Sequence, residues 1–461
     1  MNTSVVLVAM LPEHILLGGI VALIALEIAG GKPRAAMWLS AYVVAAACAA
    51  ALGLAFEAYA DAPFPGHLSV GPISLLSKAV ILSLAVPVVL ISRDDFSDRQ
   101  FHILVLSSLY GACILASSDS FLTLFLGIEL LSLPVYVMVV LAFRRPQSAE
   151  AALKYLVLGG AASATLLMGA SLLFGWTGSL ALGTFARALG SQNALAIAGA
   201  ALVLIAFFLK AAIVPFHAWA PDAYEAASVP VTTYMATIVK AAMLLAAVRL
   251  FEAVPLTRPI VDLVAILPLI SIVWGNLAAM RQPSFRRMIA YSSIAHAGYL
   301  FYAFLGEGTL RFQAVAFYLL AYGVMNVLAF ASLPPDENDV ARDRLDNLKG
   351  LFHRRPYAAI AIAIAMLSLA GLPPFPGFIG KFLIFKNAIA AGYTLYAVLG
   401  LVGSYLGIYF YLRVVQFLFM TEEVPSANRG TPGALALGAG ALCLFAGMVM
   451  AVLPGWVLGQ L

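Results

Sequence analysis

The chain has 461 residues, 63% of them hydrophobic and 10% charged, with 26 Lys and Arg against 22 Asp and Glu for a formal charge of +4. An ordinary globular domain is about 45–50% apolar and about 25% charged, so polar surface cannot cover these side chains in water, and the chain reads as an all-α polytopic membrane protein. The positive surplus is too small and dispersed for nucleic-acid binding, which needs a clustered basic face. Cys48, Cys113 and Cys443 lie far apart in apolar runs without a CxxC pair, which argues against a metal or iron–sulfur site in this chain. There is no GxxxxGK[ST] and no GxGxxG after a strand pattern, so redox or nucleotide chemistry is expected in partners.

A helix needs about 20 apolar residues to cross the hydrocarbon core. On that measure the chain predicts fourteen spans, at 12–30, 35–59, 71–92, 101–117, 119–142, 150–175, 193–226, 230–253, 259–280, 285–305, 311–332, 356–390, 393–419 and 433–457. Residues 1–11 lack the basic start of a signal peptide, so the first run is expected to remain as a helix.

Connections after odd spans hold Lys32, Arg34, Arg93, Arg99, Arg144, Arg145, Arg281, Arg286, Arg287 and the cluster from Arg342 to Arg355. Those after even spans contribute only Arg187, Arg258 and Arg311 singly. The positive-inside rule then puts both termini on the periplasmic side. The Ala-rich, Arg-leaning composition looks bacterial rather than organellar, and the expected location is the bacterial cell (inner) membrane. Residues 334–356 form the one long polar insert, read as a cytoplasmic surface connection. Residues 1–461 are expected to form a single membrane domain.

Two spans are abnormal. The seventh contains Pro215 and the twelfth contains Pro373, Pro374 and Pro376. Proline removes a helix hydrogen bond and clashes with the carbonyl four residues back, which predicts freed carbonyls at Ala211 and Leu369. Such breaks survive in a bilayer only where protein or water satisfies the freed groups. Two broken helices five spans apart suggest two inverted five-helix repeats, spans 4–8 (101–253) and 9–13 (259–419). The N-terminal helices would occupy 1–117, overlapping the first repeat, and a C-terminal helix 433–457.

Ionisable side chains inside the spans are the informative residues, because each costs roughly 2.5–3.5 kcal/mol on insertion scales unless it faces protein or water. They are Glu129, Lys154, Lys210, Lys240, His296 and Lys381. His296 lies four residues after Ser292, on one helix face. A lysine in a low-dielectric bundle holds its proton less firmly, and a nearby carboxylate restores the hold. Moving the carboxylate therefore switches the lysine between holding and releasing a proton. Arginine stays protonated and could not serve. Bland readings compete: Lys154 could snorkel to the interface, Lys78 and Lys386 fit snorkelling or a structural pair, and His296 alone fits a satisfied core histidine.

The segments FFLKAAIVPFHAWAPDAYEAASVPVTTYMATIVKA, RQPSFRRMIAYSSIAHAGYL and LAGLPPFPGFIGKFLIF resemble the antiporter-like membrane subunits of respiratory complex I, the proton-translocating NADH:quinone oxidoreductase. The resemblance covers nearly the whole chain and is nearest the subunit N (subunit 2) branch. It implies that Glu129 and Lys210 form a coupled pair, and that Lys154, Lys240, His296 and Lys381 match the family's proton-transfer positions. Lys381 stands where the M branch usually has glutamate, and the chain end at Leu461 is short of the L branch's lateral helix. AASVP and PPFPGF depart from the family's usual turns.

The resemblance implies a non-redox proton-translocating subunit. NADH, FMN, iron–sulfur clusters and quinone would sit in partner subunits, none in this chain, and the partners would be other membrane subunits (M-like and small K-, J- and A-like) and the bilayer. A subunit of a multi-subunit cation/proton antiporter, or a structural spacer whose buried charges only fix packing, are the alternatives.

Overall fold

The computed structural model describes residues 3–94, 100–141, 146–251, 258–306, 309–335, 344–420 and 433–461. Arg99, Arg144, Arg145 and Arg342, and the side chain of Arg258, all part of the charge-alternation reading, lie outside the described residues.

The N-terminal residues form a short helix of their own, α1 (Thr3–Ala9), ahead of α2 (Leu11–Ile28) and α3 (Pro33–Phe56). A small antiparallel hairpin of β1 (Asp61–Phe64) and β2 (Leu68–Val70) follows, turning at Gly66 with φ +76°, a backbone region open to glycine without strain. Next come α4 (Pro72–Ile91), α5 (Gln100–Ala116), α6 (Phe121–Leu141) and α7 (Pro146–Thr177). A short helix, α8 (Gly183–Leu189), precedes the broken span, which is α9 (Ala194–Ala211) and α10 (Trp219–Ala226).

The next span is one rod with an irregular middle: α11 (Val229–Tyr234), a π-helical turn at Met235–Val239, and α12 (Lys240–Leu250). Then come α13 (Arg258–Ala279), α14 (Phe285–Tyr302), α15 (Thr309–Ala331) and the short α16 (Leu351–Arg354). The second broken span is α17 (Pro356–Ala370) and α18 (Pro376–Ala390), followed by α19 (Thr394–Phe419), α20 (Ala434–Val452) and α21 (Pro454–Gln460).

Twelve helices among the described residues are long and apolar enough to cross a membrane, two fewer than the apolar runs predict. The difference lies at 101–117 and 356–390, where α5 and α17 are shorter apolar helices. The proline cluster splits the latter run into two 15-residue pieces, each about 22 Å long at 1.5 Å per residue, short of the ~30 Å hydrocarbon core.

Burial is graded across the bundle. The span Val229–Leu250 is 100% buried, and Phe285–Leu305 and Leu310–Ala331 are 94% buried, against 28% for α2 and 33% for α20. Three helices thus form the axis, and they carry Lys240, His296 and a set of tyrosines. Small residues let helices approach, as expected where lipid supplies no hydrophobic drive between them. A Cβ at Gly111 would lie 2.4 Å from the Leu131 nitrogen of α6, and one at Gly298 would lie 2.5 Å from the Pro268 carbonyl of α13.

Both breaks begin with a left-handed residue, Ala212 (φ 61°) after α9 and Gly371 (φ 84°) after α17, and both contain a cis peptide, Val214–Pro215 and Pro373–Pro374. Side chains also reach carbonyls at both helix ends. Trp219 Nε1 donates to the Leu209 carbonyl at 2.9 Å and Lys381 Nζ to the Ala370 carbonyl at 3.0 Å. The predicted positions were Ala211 and Leu369. The Ala370 carbonyl that Lys381 holds lies four residues before Pro374, where a proline frees a carbonyl, and the Leu209 carbonyl is shared between Trp219 and the Ala212 N–H.

Candidate functional site

Glu129, Ser132 and Tyr136 stand at i, i+3 and i+7 on α6, so one face presents all three. Lys210, in the last turn of α9, meets that face. Its Nζ lies 3.5 Å from Glu129 Oε1, 3.4 Å from Ser132 Oγ and 3.4 Å from Tyr136 Oη. Ser163 of α7 donates its hydroxyl to the same Glu129 oxygen. The lysine side chain is 6% exposed and the glutamate 23%, so the pair is sheltered but the carboxylate keeps one open flank. Gly159 makes room for the Tyr136 hydroxyl, which would lie 2.0 Å from a Cβ there.

On the axis, Lys240 Nζ donates to the Ser293 carbonyl of α14 and lies 6.0 Å from the centroid of the Tyr322 ring. The His296 ring is 4.7 Å from that same Tyr322 ring and 5.5 Å from Tyr299. Lys381 Nζ sits 4.7 Å over Tyr299 and donates to Ser404 Oγ at 3.0 Å as well as to the Ala370 carbonyl. Lys240, His296 and Lys381 therefore form one row with a tyrosine ring between each pair. His296 is also held by hydroxyls on both nitrogens, Nδ1 by Tyr318 at 2.7 Å and Nε2 by Tyr411 at 3.0 Å, and Tyr411 continues to Ser292 Oγ at 2.5 Å. A neutral imidazole donates from one nitrogen and accepts at the other. Such a chain can pass a proton in at one end and out at the other.

Lys154 belongs to a different setting. Its side chain is 45% exposed and pairs with Glu150 at 2.7 Å and Asp222 at 2.9 Å. Asp222 also accepts from Arg287 at 2.9 Å, and Arg287 reaches Glu225 at 2.8 Å. The six predicted residues thus fall into three groups: Glu129 with Lys210, the row from Lys240 through His296 to Lys381, and Lys154 at the surface.

Charge in an apolar run singles out a lysine but not its partners. Tyr299 was within reach, since it continues the face of Ser292 and His296 at i+7. Tyr318, Tyr322, Tyr411, Ser404 and Asp222 come from other helices, with no local signal. Lys78 makes a fully buried pair with Glu13 at 2.6 Å, so the structural-pair reading holds there and snorkelling does not.

A sequence model of the family described as "NADH:quinone oxidoreductase/Mrp antiporter, TM" matches residues 118–407, a stretch holding all six residues. Over 98% of its length the chain is 39% identical to NADH-quinone oxidoreductase subunit N of Pelobacter propionicus, 98% of which is covered. The chain belongs to the subunit N family. The subunit N of Chloroflexus aggregans is 38% identical over 84% of this chain and 83% of its own. Among solved structures, a chain of respiratory complex I from Thermus thermophilus superposes with a TM-score of 0.85 at 36% identity, covering 97% of this chain and 98% of that one. A chain of a Dietzia Mrp complex gives a TM-score of 0.84 over 98% of this chain and 96% of that one. Its 22% identity makes that a likeness of fold alone.

Proposed function

We propose that the chain is the non-redox, proton-translocating membrane subunit N of an NADH:quinone oxidoreductase. Quinone reduction in partner subunits drives charge movements that reach Glu129, Lys210 releases or takes up a proton as its counter-charge moves, and the proton travels along Lys240, His296 and Lys381. The observation that carries this reading is the Glu129–Lys210 pair at the edge of a helix break. The separation is 3.5 Å, long enough for the pair to be broken without large motion. Three hydroxyls, from Ser132, Tyr136 and Ser163, stand ready to hold either partner. The buried Lys78–Glu13 pair, by contrast, closes to 2.6 Å, as a pair that only fixes packing should.

NADH, FMN, iron–sulfur clusters and quinone belong to partner subunits. M-like and small K-, J- and A-like membrane subunits are the expected neighbours in a bacterial inner membrane. Both termini lie on the periplasmic side, and residues 101–253 and 259–419 form the two inverted repeats. A left-handed residue opening each break, Ala212 in the first and Gly371 in the second, supports the repeat.

The test is Lys210→Ala in the intact complex. NADH oxidation by an artificial acceptor should persist, while quinone-linked proton translocation falls at least about tenfold, equivalent to about 1.4 kcal/mol. Undiminished translocation would sink the assignment.

A further inference from the structure

The short helix α10 is anchored at its far end by both halves of the bundle. From α7, Lys154 pairs with Asp222 at 2.9 Å and Ser148 Oγ donates to the Ala226 carbonyl at 2.9 Å. From α14, Arg287 pairs with Asp222 and Glu225, and Arg286 Nη1 donates to the Ala227 carbonyl at 2.5 Å. Asp222 is shared, one oxygen facing Lys154 and the other Arg287.

At its near end α10 begins with Trp219, whose indole stacks on Tyr155 at 4.2 Å with the planes 4° apart. Tyr155 meets Tyr136 edge-on at 4.5 Å, and Tyr136 Oη is a partner of Lys210. Trp219 Nε1 holds the Leu209 carbonyl, next in the chain to Lys210. The position of α10 is therefore transmitted to Lys210 by two routes, through three packed rings and through the helix end itself.

We propose that Asp222 is a positioning residue for Lys210: the surface cluster of Lys154, Asp222 and Arg287 latches α10, and through Trp219, Tyr155 and Tyr136 the latch fixes where the Lys210 ammonium stands relative to Glu129. Lys154 then acts through the latch and carries no proton of its own. Because the cluster is partly exposed, it is weak, screened by salt and easily reset. That suits a latch which must open and close in each cycle, and it ties the two halves of the bundle together at Asp222. The inference rests on the reading of Lys210 as a proton carrier.

The experiment uses the whole complex reconstituted in vesicles, carrying Asp222→Asn or Asp222→Glu. For Asp222→Asn, NADH oxidation by an artificial acceptor stays at the wild-type rate. Proton translocation with quinone falls about two- to fivefold, its pH profile shifts, and its dependence on ionic strength flattens. Asp222→Glu restores most of the pH profile. Trp219→Leu, which leaves the cluster intact but cuts both routes, should give the same shift, and serves where the Asn variant does not assemble. An assembled Asp222→Asn or Trp219→Leu complex with an unchanged pH profile overturns the proposal. If Lys210→Ala abolishes translocation while both variants are silent, only the latch fails; if Lys210→Ala is silent, the underlying reading fails first.

Discussion

At the first break the lysine comes before the interruption and faces a carboxylate; at the second it comes after, and among the described residues it faces none. Lys210 has Glu129 at 3.5 Å, whereas Lys381 rests on the Ala370 carbonyl, the Ser404 hydroxyl and the face of Tyr299. A lysine with a counter-charge can be switched by moving that charge. A lysine on neutral acceptors has no such handle; in the proposed path it would exchange its proton with a neighbour in the row, His296 across the Tyr299 ring. The first break is thus suited to receiving a signal and the second to passing a proton on.

The breaks also differ in room, and this gives the largest expected effect. A Cβ at Gly377 would lie 1.9 Å from the Ser368 carbonyl oxygen, so Gly377→Ala should pry α18 from α17 at a cost of about 2–3 kcal/mol. Thermal denaturation in detergent would reveal it, and an unchanged midpoint would mean the second break is looser than described. Next comes Glu129→Gln, which gives the first site the neutral surroundings of the second. Quinone-linked translocation should drop about tenfold; a fully active variant would erase the distinction between the sites.

Gly159→Ala should act more mildly, displacing the Tyr136 hydroxyl from Lys210 and slowing translocation about two- to fivefold, the worth of one hydrogen bond. The smallest effect belongs to a control remote from both breaks. A hydrogen bond from Lys349, at 2.9 Å, holds the Asp346 carboxyl below its ordinary range. The stabilisation is present at neutral pH and is lost as pH falls through the lowered value. Asp346→Asn should therefore cost only about 0.3–0.5 kcal/mol at pH 7, and the gap should close in acid, with translocation untouched. A pH-independent gap in the melting curves would refute that account.

Both interruptions were legible in the sequence because proline removes a helix hydrogen bond, although Pro87, Pro134 and Pro268 sit inside unbroken helices, and the six titratable residues because charge in an apolar run is costly. What surrounds them was not legible. Tyr322, Tyr318 and Tyr411 sit in runs where a tyrosine looks like any buried ring, and only tertiary packing brings them to His296. Asp222 read as part of a motif, since nothing in its neighbourhood announces Lys154, 68 residues earlier, or Arg287 on α14. Lys78 alone was open between snorkelling and a structural pair, and its partner Glu13, which nothing in the sequence singled out, meets it only when α2 and α4 are brought together. The proline rule reaches the helix ends but not the side chains that close them: neither Trp219 on the Leu209 carbonyl nor Lys381 on the Ala370 carbonyl is signalled locally.

The π-helical turn at Met235–Val239 is in effect an insertion in the helix. Such a turn holds one residue more than α geometry allows and takes it up within that turn. Lys240 is the first residue beyond it. Deleting one residue from 235–239 would let the rod close to a plain α-helix with Lys240 still turned roughly toward Ser293 and Tyr322, whereas the same deletion in a regular stretch would swing the residues beyond it by about 100°. The turn is thus slack in the backbone, one surplus residue taken up without re-aiming the ammonium that follows.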